Sequence, residues 1–197
     1  MASSIIIAGV GGQGTLLASR ILAACARTKG LFVRTSETIG MAQRGGSVSS
    51  HLLIDAKNLS PIIPQHHADI LLGFELAECV RMIPKMRADA KCVINVDEVI
   101  PTNVALGKGV YLAPEYRKTL KERFPGALFV SAGEAALKAG DIRTLNIVLL
   151  GAAAGRNILP FTAEEVRTAL VKCVRPKLVA MNEKAFELGL ASCEFRW

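Results

Sequence analysis

Residues 5–14 read Ile-Ile-Ile-Ala-Gly-Val-Gly-Gly-Gln-Gly, an apolar run that ends in glycines and passes directly into a helical pattern. The stretch predicts a buried first strand, a tight turn and a helix N-terminus. Gly9, Gly11 and Gly14 fit the G-x-G-x-x-G spacing, in which missing side chains let the backbone turn sharply and bring its N–H groups close to an anion. A phosphate held at the positive end of the helix is one use of such a turn. A tight strand–helix connection whose glycines serve only packing is the other, and the spacing alone leaves both open.

Working outward, residues 13–29 read as a helix with Leu17, Ile21 and Cys25 on one face and Gly30 as its stop. Residues 31–35 follow as a second strand, so the chain opens with a βαβ unit, which implies a parallel sheet and a right-handed crossover. Glu37 lies where a dinucleotide fold places its ribose-binding acid, about 20 residues past the glycines. The continuation is unlike such a fold. Residues 36–47 contain two polar, glycine-punctuated turns, and residues 47–54 then alternate, with Val48, Leu52 and Ile54 on one face and Ser47, Ser49 and His51 on the other. A half-polar strand here predicts a mixed sheet with one strand lying against a ligand or another subunit.

Farther along, residues 70–74 read as a strand, 75–86 as a helix interrupted at Pro84, 91–96 as a strand and 100–109 as a connecting loop. A short strand is expected at 110–113, a basic helix at 114–123, a strand at 128–131 and a short helix at 133–138. Residues 144–157 form the most apolar helical stretch. Its Gly151, Ala152, Ala153, Ala154 and Gly155 would let a neighbouring backbone approach closely, so it is expected to be central and buried. Thr162-x-x-Glu165 is a capping box, and Pro176 opens a last helix with Gly189 as its stop. The chain is 51% hydrophobic with one Trp and two Tyr. Aliphatic residues therefore build the core, as in a sheet covered by helices on both faces. The expected fold is a three-layer α/β/α domain with a mostly parallel, mixed central sheet, a single domain over residues 1–197 without repeats.

No apolar run approaches the roughly 20 residues that span a bilayer, and the N-terminus lacks the basic region of a signal peptide. A cytoplasmic protein without a membrane partner is expected. The five cysteines contain no C-x-x-C pair, which argues for reduced thiols and against a zinc site or iron–sulfur cluster. The net charge of +7 suits nucleic acid, a phosphorylated ligand or an acidic protein. The basic cluster of Arg117, Lys118, Lys121 and Arg123 has no interleaved aromatic residues, so nucleic acid is the weakest of the three.

The chemistry-bearing residues do not assemble a catalytic site. His66 and His67 are adjacent and could not share a metal from a strand. His51 is a weak candidate for proton transfer and reads better as a structural histidine, Glu75 and Glu78 could act as acid or base but are equally explained as acids at a solvated helix start, and no Walker lysine follows the glycines. The informative segment is Gly-Met-Ala-Gln-Arg-Gly-Gly-Ser at residues 40–47. Arg44 followed by Gly45 and Gly46 offers a bidentate fork on backbone that can approach a ligand closely. A long polar loop in a compact chain favours a contact role, with a cofactor or a subunit, over a solvated surface turn.

Three ordered segments then resemble one known family. Gly-Val-Gly-Gly-Gln-Gly-Thr at 9–15, Gly-Met-Ala-Gln-Arg-Gly-Gly-Ser-Val at 40–48 and Thr-Leu-Asn-Ile-Val-Leu-Leu-Gly-Ala at 144–152 are similar to the signatures of the gamma subunit or domain of 2-oxoacid:ferredoxin oxidoreductases. The second signature, with Gln-Arg-Gly-Gly-Ser-Val, resembles the branch acting on indolepyruvate; branches acting on pyruvate or 2-oxoglutarate have other residues before the Arg-Gly. The resemblance covers nearly the whole chain. It implies a subunit, inactive alone, of an enzyme that oxidatively decarboxylates a 2-oxoacid to acyl-CoA, CO2 and reduced ferredoxin. Thiamine diphosphate, Mg and [4Fe–4S] clusters would sit in a large partner subunit, coenzyme A would be co-substrate, and this chain would bind no cofactor tightly. The resemblance implies adjoining loops, Gly11, Gly12, Gln13, Gly14 and Thr15 with Gln43, Arg44, Gly45, Gly46 and Ser47, at the C-terminal edge of the sheet. These would face the thiamine-binding partner or the phosphates of coenzyme A, with Asn146 tying them to the buried helix. A free-standing nucleotide-binding module using Glu37 is the alternative, and a scaffold for another acidic partner a third.

Overall fold

A computed structural model describes residues 3–40, 45–55 and 60–192. Six strands form one sheet in the order β2-β3-β1-β4-β5-β6. They are β1 (Ser3–Val10), β2 (Val33–Ile39), β3 (Ser47–Ile54), β4 (Ala68–Gly73), β5 (Met86–Asn95) and β6 (Leu128–Val130). β3 runs antiparallel to both its neighbours, and the β1–β4, β4–β5 and β5–β6 pairs are parallel. The sheet is thus mixed and mostly parallel, as the alternating strand at 47–54 predicts.

Helices cover both faces. α1 (Thr15–Thr28), α5 (Ala132–Ala139), α6 (Leu145–Gly155), α7 (Ala163–Cys173) and α8 (Val179–Leu190) pack on one face, and α2 (Leu76–Met82) and α4 (Ala113–Arg123) on the other. The short α3 (Thr102–Ala105) lies in the connection after β5. β1 shows why residues 5–8 are apolar without alternation: Ile5 and Ile7 enter the α1–α6 core while Ile6 and Ala8 enter the α2–α4 core, and all four are fully buried. On α1, Ala18, Ile21, Leu22, Cys25 and Ala26 are buried at helical spacing, and Gly30 follows the helix with φ +70°.

α6 is buried all round, and its partner is α8. A Cβ on Gly155 would lie 2.9 Å from the Leu190 carbonyl, and one on Gly151 would overlap the Phe186 carbonyl. The small residues therefore permit the close approach expected of them. Gly189, expected to stop the last helix, instead lies inside α8, where a Cβ would collide with the Val148 carbonyl of α6. Both bonds of the Thr162–Glu165 capping box are present.

Several local expectations are corrected. β2 continues to Ile39 because β3 pairs with it along its whole length, so 36–39 is strand and not turn. Residues 110–112 form no strand, since Ala113 already begins α4. The helix after β4 ends at Met82, where a 3-10 turn over Ile83–Lys85 accommodates Pro84 and leads into β5. The βαβ unit is also not a pair of neighbours, because β3 intervenes between β1 and β2. Finally, the polar face of β3 meets this chain itself: Ser49 and His51 are buried, and His51 Nδ1 accepts from the Ile63 N–H at 3.0 Å.

Candidate functional site

The glycine turn leaves β1 at the C-terminal edge of the sheet, and two positive-φ glycines shape it, Gly12 at +103° and Gly14 at +77°. The Gly45–Ser47 segment arrives at the same edge because β3 is antiparallel and pairs Ser47 with Val10. Reciprocal backbone bonds join the two segments. Gly11 N–H donates to the Gly46 carbonyl at 2.8 Å, and Gly45 N–H donates to the Gly11 carbonyl at 3.1 Å. The loops expected to adjoin do so at Gly11, Gly45 and Gly46. Gln43 and Arg44 lie outside the described residues.

Gln13 closes the turn from within. Its Oε1 accepts from Val10 N–H at 2.8 Å and its Nε2 donates to the Phe74 carbonyl at 3.0 Å. The adjacent strands β1 and β4 are followed by helices on opposite faces, which makes their C-terminal ends the topological switch point where open α/β sheets bind ligands. The Gln13 side chain crosses that crevice. A Cβ on Gly9 would stand 2.7 Å from Gln13 Oε1 and 2.9 Å from Phe74 Cβ, so this glycine makes room for the side chains beside it. Thr15 is buried at the start of α1, which has no side-chain cap.

Asn146, on the buried α6, donates from Nδ2 to the Gly14 carbonyl at 3.1 Å, and a Cβ on Gly14 would meet that amide at 2.6 Å. It ties the turn to the central helix as expected. Its Oδ1 is buried without a hydrogen-bond partner among the described residues.

Ser47 is exposed, and its hydroxyl is directed inward, donating to Glu78 Oε2 at 2.6 Å. Glu75 and Glu78, expected at a solvated helix start, are 2% and 5% exposed. Glu75 Oε2 accepts the Glu78 N–H at 2.9 Å, and Glu75 Oε1 accepts the Tyr111 hydroxyl. Burial, and then the carboxylate of Glu75, raises the Tyr111 phenol above its ordinary range, which keeps it a donor. Sequence reasoning did not find this linkage. The available signal was two acids directly behind an apolar strand end, with Arg81 as the nearest basic residue.

Glu37 is placed far from the glycines. It pairs with Ser50, which pairs with Ile7, so it sits two strands, about 10 Å, from β1 and level with its middle. β3 fills the space that a ribose-binding acid would have to cross.

A cleft of about 540 Å3 opens on the same edge, lined among others by Gly12, Gln13, Asn95, Asp97, Leu137 and Arg143. The α5 N-terminus on its wall is already satisfied, with Ala132 N–H donating to Asn95 Oδ1 and Gly133 N–H to Asp97 Oδ2. Among the described residues no three of His, Cys, Asp and Glu gather closely enough to hold a metal ion. Burial pushes the Cys25 and Cys92 thiols up to about 12, so they stay protonated at neutral pH and offer no thiolate. The described edge presents backbone donors and acceptors and no assembled acid, base or nucleophile.

Residues 4–192 match the sequence profile of the pyruvate ferredoxin/flavodoxin oxidoreductase family. The chain belongs to that family. Indolepyruvate oxidoreductase subunit IorB of Archaeoglobus fulgidus is 37% identical over 192 residues, 96% of this chain and 94% of the relative. Among solved structures, the pyruvate oxidoreductase subunit PORC of Thermotoga maritima superposes with a TM-score of 0.70 at 22% identity, covering 97% of this chain and 96% of that one. A 2-oxoglutarate:ferredoxin oxidoreductase of Magnetococcus marinus superposes with a TM-score of 0.66 at 20% identity, covering 95% of this chain and 30% of that one. Both structural likenesses show the family's fold in this chain, and the second shows it as part of a longer polypeptide. The chain is a subunit of a 2-oxoacid:ferredoxin oxidoreductase. Being a named subunit in its relatives, it has partner subunits. Among the described residues no helix is long and apolar enough to cross a membrane.

Proposed function

We propose that the paired glycine segments form the edge by which this chain, as one gamma-type domain, completes an indolepyruvate or related arylpyruvate:ferredoxin oxidoreductase. The thiamine diphosphate, its Mg and the [4Fe–4S] clusters belong in this reading to a large partner subunit, coenzyme A is the co-substrate and ferredoxin the electron acceptor. The observation that carries it is the reciprocal bonding of Gly11 with Gly45 and Gly46, which brings two loops from opposite strand directions onto one sheet edge. Near full-length similarity to an indolepyruvate oxidoreductase subunit supports the substrate class. The free thiols of the described cysteines suit a reducing, cytoplasmic compartment.

In this reading Gly11, Gly12, Gly14 and Gly45 keep side chains out of the contact, and Gln13, Thr15 and Asn146 hold the turn. Gln43 and Arg44 reach the partner or the phosphates of coenzyme A, Arg44 supplying charge. Gln13 in the β1–β4 crevice and β3 between β1 and Glu37 both argue against a dinucleotide bound by this chain. Reconstitution with the thiamine-containing large subunit tests the proposal. Arg44→Ala is expected to weaken assembly or raise the KM for coenzyme A, and no change in either removes Arg44 from the contact. Titration of the isolated chain with NAD or FAD is expected to show no tight binding, and saturable micromolar binding would restore the nucleotide reading.

A further inference from the structure

We propose that Glu78 is a positioning residue for the paired glycine segments, holding Ser47, and through it the Gly45–Gly46 backbone, against Gly11 before any partner arrives. The inference rests on the reading of this edge as the contact surface.

Glu78 stands at the third position of α2, where a glutamate commonly reaches back to the N-cap N–H to complete a capping box. Glu165 does this in α7, its Oε2 accepting from Thr162 N–H at 2.8 Å. At α2 the forward half of that exchange is present, with Glu75 Oε2 accepting from Glu78 N–H. The Glu78 Oε2, however, accepts from a residue 31 positions earlier in the chain. A carboxylate that is 5% exposed is costly to bury unless it is well bonded. Its partners among the described residues are the Ser47 hydroxyl at 2.6 Å and, on Oε1, Arg81 Nε at 3.4 Å. Arg81 is 66% exposed and holds the carboxylate only through a screened contact. The short hydroxyl–carboxylate bond is therefore the strong one.

Ser47 is the residue at which β3 begins, and three backbone bonds place the chain at it and just before it. Its carbonyl accepts from Gly40 N–H at 2.8 Å, closing the hairpin between β2 and β3, and the preceding Gly46 and Gly45 exchange bonds with Gly11. Glycines contribute no side chain that could fix this segment, so the Ser47–Glu78 bond is its side-chain anchor to the folded body. Glu75 extends the anchor to Tyr111, which ties the connection after β5 to the same point.

Amide hydrogen exchange on the full chain tests this directly. Glu78→Ala is expected to accelerate exchange at Gly11 and Gly45 by about tenfold or more, the size set by losing a hydrogen bond to a charged acceptor, while Ile6 and Leu72 in the central strands keep their protection. Glu78→Gln keeps a carbonyl acceptor and should retain most of the protection. Ser47→Ala, at an exposed position, should reproduce the Glu78→Ala pattern, and the double variant should go no further than either single one. Unaltered exchange at Gly11 and Gly45 in Glu78→Ala, or additive effects in the double variant, overturns the inference. In the reconstituted enzyme Glu78→Ala should weaken association with the large subunit about tenfold, with Glu78→Gln restoring it. A wild-type chain that does not associate overturns the reading of the edge, and the exchange result still judges Glu78.

Discussion

Gln13 and Phe74 are joined across the crevice between β1 and β4, the Gln13 side-chain amide donating to the Phe74 carbonyl at 3.0 Å. The same carbonyl accepts from Asn95 Nδ2 at 3.2 Å, so three successive strand ends, β1, β4 and β5, meet at one acceptor. Where many α/β sheets receive a ligand, this chain places its own side chain.

Replacing that side chain should be felt at two backbone groups. Gln13→Ala leaves Val10 N–H without its side-chain acceptor and Phe74 with one donor fewer. A loss of about 1–3 kcal/mol in unfolding free energy is expected, measured by urea denaturation. If the crevice were a ligand site plugged only in the free chain, Gln13→Ala would confer measurable nucleotide binding; none is expected.

The α6–α8 crossing makes a second prediction. A methyl group at Gly189 would run into the Val148 carbonyl, and neither helix can shift without disturbing a core that is buried all round. Gly189→Ala should cost about 3 kcal/mol. Gly126→Ala, where nothing lies within 4 Å of the added methyl, should stay within about 0.5 kcal/mol of wild type. Thermal or chemical denaturation of the pair separates a packing effect from a generic glycine effect.

His51 gives the fold a pH dependence. Burial, and then the charge of Lys85, holds its pKa below the ordinary 6.5, and its Nδ1 must stay unprotonated to accept from Ile63 N–H. The unfolded chain therefore binds the proton more readily than the folded one. The His51 contribution is complete above pH 6.5 and is lost as pH falls from there toward the lower folded value. Urea midpoints should fall between pH 7.5 and pH 5, and His51→Gln should flatten that part of the profile.

The thiols should divide by environment. Cys25, Cys79 and Cys92 are buried, and burial raises all three. Cys173 is less enclosed, and burial raises it as well, with Arg27 and Arg20 acting against the rise. Alkylation at pH 8 followed by peptide mass analysis should label Cys173 well before the other three. Labelling of Cys25, Cys79 and Cys92 should appear only as the protein unfolds.

What could be read in the sequence was what local pattern determines. The apolar run at 5–10, the helical face of Leu17, Ile21 and Cys25, the Thr162–Glu165 box and the small-residue helix at 144–157 each state their role within a few residues. What escaped depended on partners far along the chain. The entry of β3 between β1 and β2 is a matter of register between residues far apart in the chain, from Val10 with Ser47 to Ser3 with Ile54, and no local period encodes it. Gly189 was misread because a glycine near the end of a helical pattern serves equally as a stop or as a close crossing, and only α6 decides between them. Glu75 and Glu78 look like ordinary first-turn acids until Ser47 and Tyr111 are brought to them. At the site, the adjoining of the two glycine segments was implied by the family resemblance, while the inward turn of the Ser47 hydroxyl was not legible.

The reversed direction of β3 has a geometric consequence. An eight-residue strand is about 27 Å long, so a parallel β3 would have delivered residues 45–47 to the far rim of the sheet. One reversal instead folds the start of that strand back beside the first glycine bend, so a single rim carries backbone from two segments more than thirty residues apart in the chain.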